Sequence, residues 1–214
     1  MAIELIPVLE VGYNNQGVQI PDNHFYWDNS EIWDDFHSEC YKKAGFKDKL
    51  IPYLKGSSFY RLTDISDDNL KKLTIDHTQD LKEQSCSFFG GYVLRVDNQD
   101  RLYPQCCGLL ADINFWENIS NGKKSYYEGH PVPQIVIKGN SITFDLRTNE
   151  FDEIFQPPPP VLLFQVDKAE LGIAIEKTIQ ELVTFAKRLE RINTDYNLQI
   201  TNIANVLIWS DDNH

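Results

Sequence analysis

Residues 134–147 read QIVIKGNSITFDLR, and this stretch carries the clearest signal for strand pairing in the chain. Two β-rich runs flank Gly139-Asn140, which are the residues that a two-residue hairpin turn of the primed type prefers. In the second run, Ile142, Phe144 and Leu146 alternate with polar residues. A period of two buries one face of a strand and leaves the other in water. The stretch therefore predicts an antiparallel hairpin with one buried face.

A second central hairpin is predicted upstream. Residues 86–96 are β-rich, residues 97–100 have the composition of a turn, and residues 101–103 return as the partner strand. Pro104 is expected to end that strand because it cannot donate to a ladder. Residues Ile3–Val11 are predicted as a first strand.

Apolar spacing and end signals predict four helices. They are expected at Ser30–Ala44, from Ser66 to Leu73 or Lys82, at Ile113–Ile119 after an Asp112 cap, and at about Asp167–Ile192. Strands and helices that do not alternate strictly are typical of the α+β class. We expect an antiparallel sheet built from the two central hairpins and covered by the long C-terminal helix and the shorter helices.

Size and composition indicate a folded protein. A chain of 214 residues is long enough to bury a full hydrophobic core. Its contents of 42% hydrophobic and 24% charged residues are ordinary for a globular domain. We expect a single domain that spans residues 1–214.

The charge balance limits the classes of partner. The formal net charge is −12, from 32 acidic and 20 basic residues. Such a surface repels phosphate backbones and anionic lipid headgroups, so neither nucleic acid nor a membrane is an expected partner. A basic protein partner is favoured, although solubility alone is a sufficient reason for the charge. Because Met1–Pro7 lacks a secretion signal and no apolar run approaches a membrane span, a cytoplasmic location is expected.

The adjacent pair Cys106-Cys107 is the candidate for nucleophilic or redox chemistry. A reactive thiol needs its pKa lowered by a helix N-terminus or a histidine. The helix expected after Asp112 offers the first, and His130 or His77 offers the second. The alternative is that both thiols fill a turn as small apolar groups, as free cysteines usually do. Neither flank matches a catalytic signature, so no catalytic residue is assigned.

No metal or cofactor site is expected. Structural zinc requires paired ligands about two to four residues apart, and the four cysteines provide no such pair. The carboxylates of Asp97, Asp100 and Asp112 surround the upstream hairpin at residues 86–103, but Asp-rich turns are common and favour a structural role. The sequence leaves open whether these carboxylates and the Cys106-Cys107 pair converge on a pocket.

The strongest indication of function is the segment Pro21–Cys40. It contains six acidic residues, aromatic residues between them, and no lysine or arginine. Aromatic side chains beside charges of one sign favour a protein interface, because the rings supply buried contact and the charges steer association. The alternative is a solvated acidic helix with a hydrophobic staple. The residues assigned to a partner surface are Trp27, Asp28, Glu31, Asp34, Asp35 and Glu39.

Three stretches, Gly90–Asp97, Tyr103–Gly108 and Asp112–Trp116, resemble small acidic bacterial α+β proteins of the immunity type. Proteins of that type neutralise partner toxins, often basic nucleases, by binding them through acidic surfaces. The resemblance implies a binding protein without catalytic residues, and no site residue is carried over from it.

Two hypotheses follow. The first is a non-enzymatic, immunity-like protein-binding module that uses the acidic surface of Pro21–Cys40. The alternative is a thiol-dependent enzyme or redox protein centred on Cys106 or Cys107. No oligomeric state is predicted.

Overall fold

The computed structural model describes residues 1–22, 25–79, 84–127, 129–147 and 153–210. The chain divides into two compact units. The first comprises Met1–Pro7 and Phe89–Thr184. The second comprises Val8–Phe88 and the chain from Phe185 onward.

Helices and antiparallel strands alternate irregularly along the chain. In order, the elements are β1 (Ile3–Glu10), α1 (Ser30–Ala44), β2 (Phe59–Arg61), α2 (Asp67–Thr78), β3 (Gly90–Val96), β4 (Gln99–Leu102), α3 (Ile113–Ser120), β5 (Gln134–Lys138), β6 (Ser141–Asp145), β7 (Leu163–Asp167) and α4 (Lys168–Asp195). This composition confirms the expected α+β class. Strand β1 and helix α4 each contribute residues to both units.

The β5–β6 hairpin in the first unit forms as predicted. Lys138 lies opposite Ser141 across the two-residue turn, and Gly139 has the positive φ of 58° that a primed turn requires. Strand β6 buries Ile142 and Phe144 and leaves the residues between them half-buried. Strand β7 then pairs with the other edge of β6.

The β3–β4 hairpin has a tighter turn than the sequence predicts. Asp97 and Asn98 close it at φ values of 48° and 61°, and β4 begins at Gln99 rather than at Arg101. Asp and Asn tolerate this left-handed conformation, so two residues are enough for the turn. The preceding strand begins at Gly90.

The two hairpins lie in different sheets, which corrects the expectation of one sheet built from both. Strands β3 and β4 belong to a sheet of order β2-β1-β3-β4, and β5 and β6 belong to a sheet of order β5-β6-β7. The physical reason is that each hairpin meets a strand from a distant part of the chain. β1 lies beside β3, and β7 lies beside β6. No strand was predicted at Leu163–Asp167.

The first part of α4 packs on the sheet of the first unit. Thr178 donates a hydrogen bond from its hydroxyl to the carbonyl of Leu5 in β1, at 2.5 Å. Leu171 and Leu182 are fully buried on α4. Asp167 caps the helix, because its carboxylate accepts hydrogen bonds of 2.9 and 3.0 Å from backbone N–H groups of the first turn. The predicted long C-terminal helix is confirmed.

In the second unit, α1 has the bounds that the sequence predicts. Gly45 ends the helix in the left-handed conformation, with φ of 89°. The buried residues of α1 are Phe36, His37, Cys40 and Tyr41. Trp33 and Ala44 are only half-buried, because the buried face is centred nearer Tyr41.

Helix α2 is fixed to the second part of α4 within the same unit. Ser66 caps α2 by accepting a hydrogen bond from the N–H of Asn69, at 3.3 Å. Arg188 of α4 donates to the carbonyls of Leu62 and Ile65, at 2.8 and 2.5 Å, just before α2 begins. Among the described residues, no helix combines the length and apolar composition that crossing a membrane requires.

Candidate functional site

The assigned acidic residues of α1 form a row along the exposed side of the helix. Glu31, Asp35 and Glu39 follow one another at intervals of four residues, and all three are exposed. Side chains at this spacing lie one above the other on a helix. Asp28 is exposed just before the helix begins. We call Asp28, Glu31, Asp35 and Glu39 the acidic row.

Lysines partly balance the acidic row. Lys55 lies 3.1 Å from the Glu31 carboxylate, and Lys43 lies 3.3 Å from the carboxylate of Glu39. Both pairs are well exposed, so they stabilise the fold little. The side chain of Asp35 forms no ion pair or hydrogen bond within the described parts of the chain. Asp35 is therefore the member of the row whose charge is most open to a partner.

Asp34 has a structural contact that separates it from the acidic row. Its carboxylate accepts a 2.7 Å hydrogen bond from the backbone N–H of Gly56, and the side chain is half-buried. Gly56 has a φ of 83°, and a Cβ at this position would lie 2.7 Å from the Cα of Ser30. The loop thus passes very close to the start of α1, and Asp34 holds it there.

Trp27 lies in an aromatic pair before α1. Its ring stacks on Phe25 with a centroid distance of 4.4 Å and an angle of 8°. Phe25 is half exposed, and Trp27 is partly exposed. An exposed stacked pair offers flat apolar area that is already ordered, which suits contact with another protein.

A cavity of about 900 Å³ lies between α1 and the segment Phe46–Lys55. Its wall combines four tyrosine or phenylalanine rings with seven charged side chains. The lining residues are Asp34, Asp35, His37, Ser38, Tyr41, Lys42, Phe46, Lys47, Asp48, Lys49, Leu50, Ile51, Pro52, Tyr53, Lys55 and Tyr60. The volume lies within the range of small-molecule sites, roughly 300 to 1,000 Å³. Every lining residue belongs to the second unit.

A buried tyrosine chain forms part of the cavity wall. The hydroxyl of Tyr60 donates to the hydroxyl of Tyr41 at 3.1 Å, and Tyr41 donates to the carbonyl of Val11 at 2.9 Å. Burial raises the pKa of both tyrosines well above the usual value. These hydroxyls therefore stay protonated and serve as fixed hydrogen-bonding groups.

His37 lies beside this chain as a neutral imidazole. Its ring stacks near Tyr41, with centroids 5.9 Å apart. Burial lowers the pKa of His37 to about 4, and the nearby carboxylate of Asp34 opposes this shift only in part. Its Nδ1 atom is buried and has no hydrogen-bond partner in the part of the chain that the structure describes.

Charged side chains surround the aromatic wall of the cavity. Lys47 pairs with Asp68 at 2.9 Å, outside the lining. Lys42 and Lys49 are exposed and have no carboxylate within ion-pair distance among the described residues. Sequence reasoning missed this cavity, because the segment that supplies most of its wall, Phe46–Lys55, has neither helical nor strand periodicity. The available signal was the alternation of lysines with apolar and aromatic residues there.

The Cys106-Cys107 pair lies in an exposed turn of the first unit. The two sulfur atoms are 3.2 Å apart, and Cys107 has a φ of 70°. The backbone N–H of His130 donates to the carbonyl of Cys106 at 3.1 Å, so the chain brings one of the two candidate histidines beside the pair. By contrast, Cys40 is buried, and burial raises the pKa of its thiol.

His77, the other candidate base, lies beside Cys86 in the second unit. Its Nε2 lies 2.8 Å from the carbonyl oxygen of Cys86 and 3.9 Å from the sulfur. A carbonyl only accepts hydrogen bonds, so Nε2 carries the proton in this contact. The Nε2 atom of His77 therefore cannot accept a proton from the Cys86 thiol.

The three carboxylates around the β3–β4 hairpin all accept structural hydrogen bonds. Asp97 accepts from the backbone N–H of Ala2 at 2.9 Å. Asp100 accepts from Arg95 at 2.7 Å and from the hydroxyl of Tyr103 at 2.9 Å.

Asp112 is buried, and its carboxylate accepts from the backbone N–H of Leu109 at 2.9 Å. It was predicted to cap α3, but its side chain makes no cap hydrogen bond to that helix in the described structure. A 3₁₀ turn at Leu110–Asp112 precedes α3 and points the carboxylate back toward Leu109.

Within the described ranges, no group of three or more His, Cys, Asp or Glu side chains is arranged to hold a metal ion. Comparisons with protein-family models, curated proteins and solved structures gave no match to this chain. Any statement of function therefore depends on the geometry of these sites.

Proposed function

We propose that this chain is a non-catalytic protein-binding module of the immunity type, which recognises a basic protein partner through the acidic row and the Phe25–Trp27 pair. The observation that carries the proposal is the exposure of Glu31, Asp35 and Glu39 in a single line along α1. A line of like charges on a rigid helix presents a fixed field to a partner. The stacked aromatic pair adds apolar contact before the helix.

The physical roles of the two parts differ. Exposed carboxylates raise the association rate with a basic surface and make it sensitive to salt. Aromatic side chains contribute mainly to the lifetime of the complex, because their buried area is lost when the partner leaves. Asp35 is expected to matter most among the acids, since Lys55 and Lys43 partly neutralise Glu31 and Glu39.

The test uses the intact chain as bait in lysate of the source organism, with quantitative mass spectrometry of the captured proteins. The binding variant is Asp35→Lys with Glu39→Lys. The matched control is Glu176→Lys with Glu190→Lys, which makes the same charge change at exposed positions of α4. Asp34 is left intact because its contact with Gly56 belongs to the fold.

We expect wild type and the α4 control to capture the same basic protein, and the α1 variant to capture it at least about tenfold less. The capture should weaken as salt is raised from about 0.05 to 0.5 M. Equal capture by all three baits at low salt would contradict the assignment to the acidic row.

A second candidate function is thiol chemistry at Cys106-Cys107. The distance of 3.2 Å between two exposed sulfur atoms favours it. Native protein is treated with iodoacetamide at neutral pH, and each cysteine is followed by peptide mass spectrometry. Cys86 is the matched control because it is also exposed.

Modification of Cys106 or Cys107 about tenfold faster than Cys86 would support an activated thiol. Equal rates at the three exposed thiols would show accessibility alone. If Cys106 and Cys107 react only after denaturation, thiol chemistry at this pair is excluded.

A further inference from the structure

The Cys106-Cys107 pair occupies the centre of a β-turn. The backbone N–H of Gly108 donates to the carbonyl of Gln105 at 3.1 Å and closes the turn around the two cysteines. Cys107 has a φ of 70°, a value that is usual at this turn position for glycine or asparagine. Any other residue in this left-handed conformation costs energy, and such residues are concentrated at functional sites.

Hydrogen bonds to neighbouring segments fix this turn. The carbonyl of Cys106 accepts from the backbone N–H of His130 at 3.1 Å. The side chain of Gln105 accepts from the backbone N–H of Gln156 at 2.9 Å and donates to the carbonyl of Gln156 at 3.1 Å. The two thiols therefore stand on a backbone that is already ordered, which lowers the entropy cost of binding a ligand between them.

The backbone disfavours a disulfide within the pair. Neighbouring Cα atoms lie about 3.8 Å apart across a trans peptide bond, whereas the two Cα atoms of a disulfide usually lie about 4.4 to 6.8 Å apart. A disulfide between residues adjacent in sequence is therefore strained and easily reduced. We expect the pair to persist as two thiols, and both residues are exposed.

The separation of the two sulfur atoms indicates what kind of centre they can share. They lie 3.2 Å apart. With bonds of about 2.3 Å, as between zinc and thiolate, two sulfurs at a right angle lie about 3.3 Å apart, against about 3.8 Å at a tetrahedral angle and about 4.6 Å on a line. Trivalent arsenic forms bonds to sulfur of similar length at nearly right angles, because a lone pair takes up the remaining direction. The distance thus matches a pyramidal arsenic centre better than tetrahedral zinc or a linear ion.

The number of thiols limits the ligand further. Arsenite binds up to three thiolates, whereas an arsenical with one carbon substituent binds two. Across the described ranges, no set of three or more His, Cys, Asp or Glu side chains is arranged to hold a metal ion. Two adjacent thiols therefore match an arsenical that already carries one carbon substituent.

We propose that Cys106 and Cys107 together bind a monosubstituted trivalent arsenical. Both thiols attack the arsenic atom: two arsenic–sulfur bonds form, the arsenic–oxygen double bond breaks, and its oxygen leaves as water with the two thiol protons. Arsenic stays trivalent, so the step needs no oxidant or reductant. Because this binding does not require an activated thiol, it is independent of the thiol chemistry proposed for the same pair.

The first experiment adds phenylarsine oxide to the reduced full chain and follows the product by native mass spectrometry. We expect one arsenical per chain, bound with loss of one water. The monothiol 2-mercaptoethanol should leave this adduct in place, whereas the dithiol 2,3-dimercaptopropanol at the same concentration should remove it, because only the dithiol also forms a chelate. No adduct, or an adduct that the two reagents remove equally, would overturn the proposal.

Variants then place the arsenical on the turn. Cys106→Ser and Cys107→Gly should each weaken binding at least about a hundredfold, because the second bond can no longer form within the same molecule. Glycine adopts the positive φ of position 107 readily, so Cys107→Gly removes a thiol without straining the turn. Cys86→Ser is the matched control, since it also removes an exposed thiol, and it should bind like wild type. Unchanged affinity in both turn variants would overturn the assignment.

Alkylation rates distinguish this chelate from an activated thiol. Equal rates of iodoacetamide modification at Cys86, Cys106 and Cys107, together with a stable arsenical adduct on the turn, would support the chelate alone. Faster modification of Cys106 or Cys107 without an arsenical adduct would support thiol activation and overturn the chelate.

Discussion

The carboxylates of α1 and those around the β3–β4 hairpin are of the same chemical type, but their surroundings differ. Near the hairpin, Asp100 and Asp112 accept hydrogen bonds from groups only a few residues away. Along α1, Glu31, Asp35 and Glu39 project into solvent, and only exposed lysines approach two of them. A helix satisfies its own backbone, so the side chains on its outer face have no structural N–H groups to bind. Acidic residues near a turn thus become part of the fold, whereas those on the helix remain available for recognition.

The largest expected effect concerns the buried side of α1, directly opposite this exposed face. His37 has a pKa of about 4 in the folded chain against an ordinary value of 6.5, so the unfolded chain binds more protons between these values. The contribution of His37 to the free energy of unfolding is therefore fully present above pH 6.5. It is lost as the pH falls toward 4, by up to about 3 kcal/mol.

The measurement is urea unfolding, followed by fluorescence, between pH 7.5 and 4 for wild type and His37→Phe. The variant cannot titrate at this position, so its stability should fall less over the same range. Parallel curves for the two proteins would show that His37 takes up a proton as easily in the folded state as in the unfolded state.

An intermediate effect is expected at the hairpin carboxylate of Asp112. Replacement by Ala leaves the partly buried N–H of Leu109 without its acceptor, which should lower the free energy of unfolding by about 2 kcal/mol. Asp112→Asn retains an acceptor and should cost about half as much. Urea unfolding at pH 7 measures both. A cost below about 0.5 kcal/mol for Asp112→Ala would remove the distinction between structural and exposed carboxylates.

The smallest effect comes from neighbouring residues on α1 itself. Asp34→Ala removes the acceptor for the N–H of Gly56 and should destabilise the chain by about 1 kcal/mol. Asp35→Ala changes only an exposed side chain and should stay within about 0.5 kcal/mol of wild type. The same unfolding assay compares the two variants. Equal stabilities would mean that the contact of Asp34 with Gly56 does not hold the loop.

Much of the local structure follows from the sequence because its signals are local. Gly45 ends α1 where the sequence indicates, and the turn at Gly139 pairs β5 with β6 in the predicted register. The pairing of each hairpin with its neighbouring strand was not predictable in this way. The pairing of β7 with β6 depends on residues about twenty positions apart, which no short-range pattern specifies.

The candidate site shows the same difference between features set by local sequence and features set by long-range packing. The acidic row could be predicted, since helix periodicity places Glu31, Asp35 and Glu39 on an outward face. The role of Asp34 was not predictable, because its partner Gly56 lies in a distant loop. The cavity requires Tyr60 of β2 to lie beside α1, so its existence depends on packing rather than on any motif. Whether the chain is a single domain and whether α1 binds a partner stay predictions.

The passage of α4 from one unit to the other has a consequence for how the protein is made. The second unit needs groups that the ribosome adds last: Arg188 binds the carbonyls of Leu62 and Ile65, and the carbonyl of Leu207 accepts from the N–H of Phe88. Domains usually fold during synthesis once all their residues have emerged. Here the core around α1 is complete only after the intervening stretch Phe89–Thr184, nearly a hundred residues, has been synthesised. A nascent chain halted before Phe185 therefore exposes apolar surface that the finished protein covers.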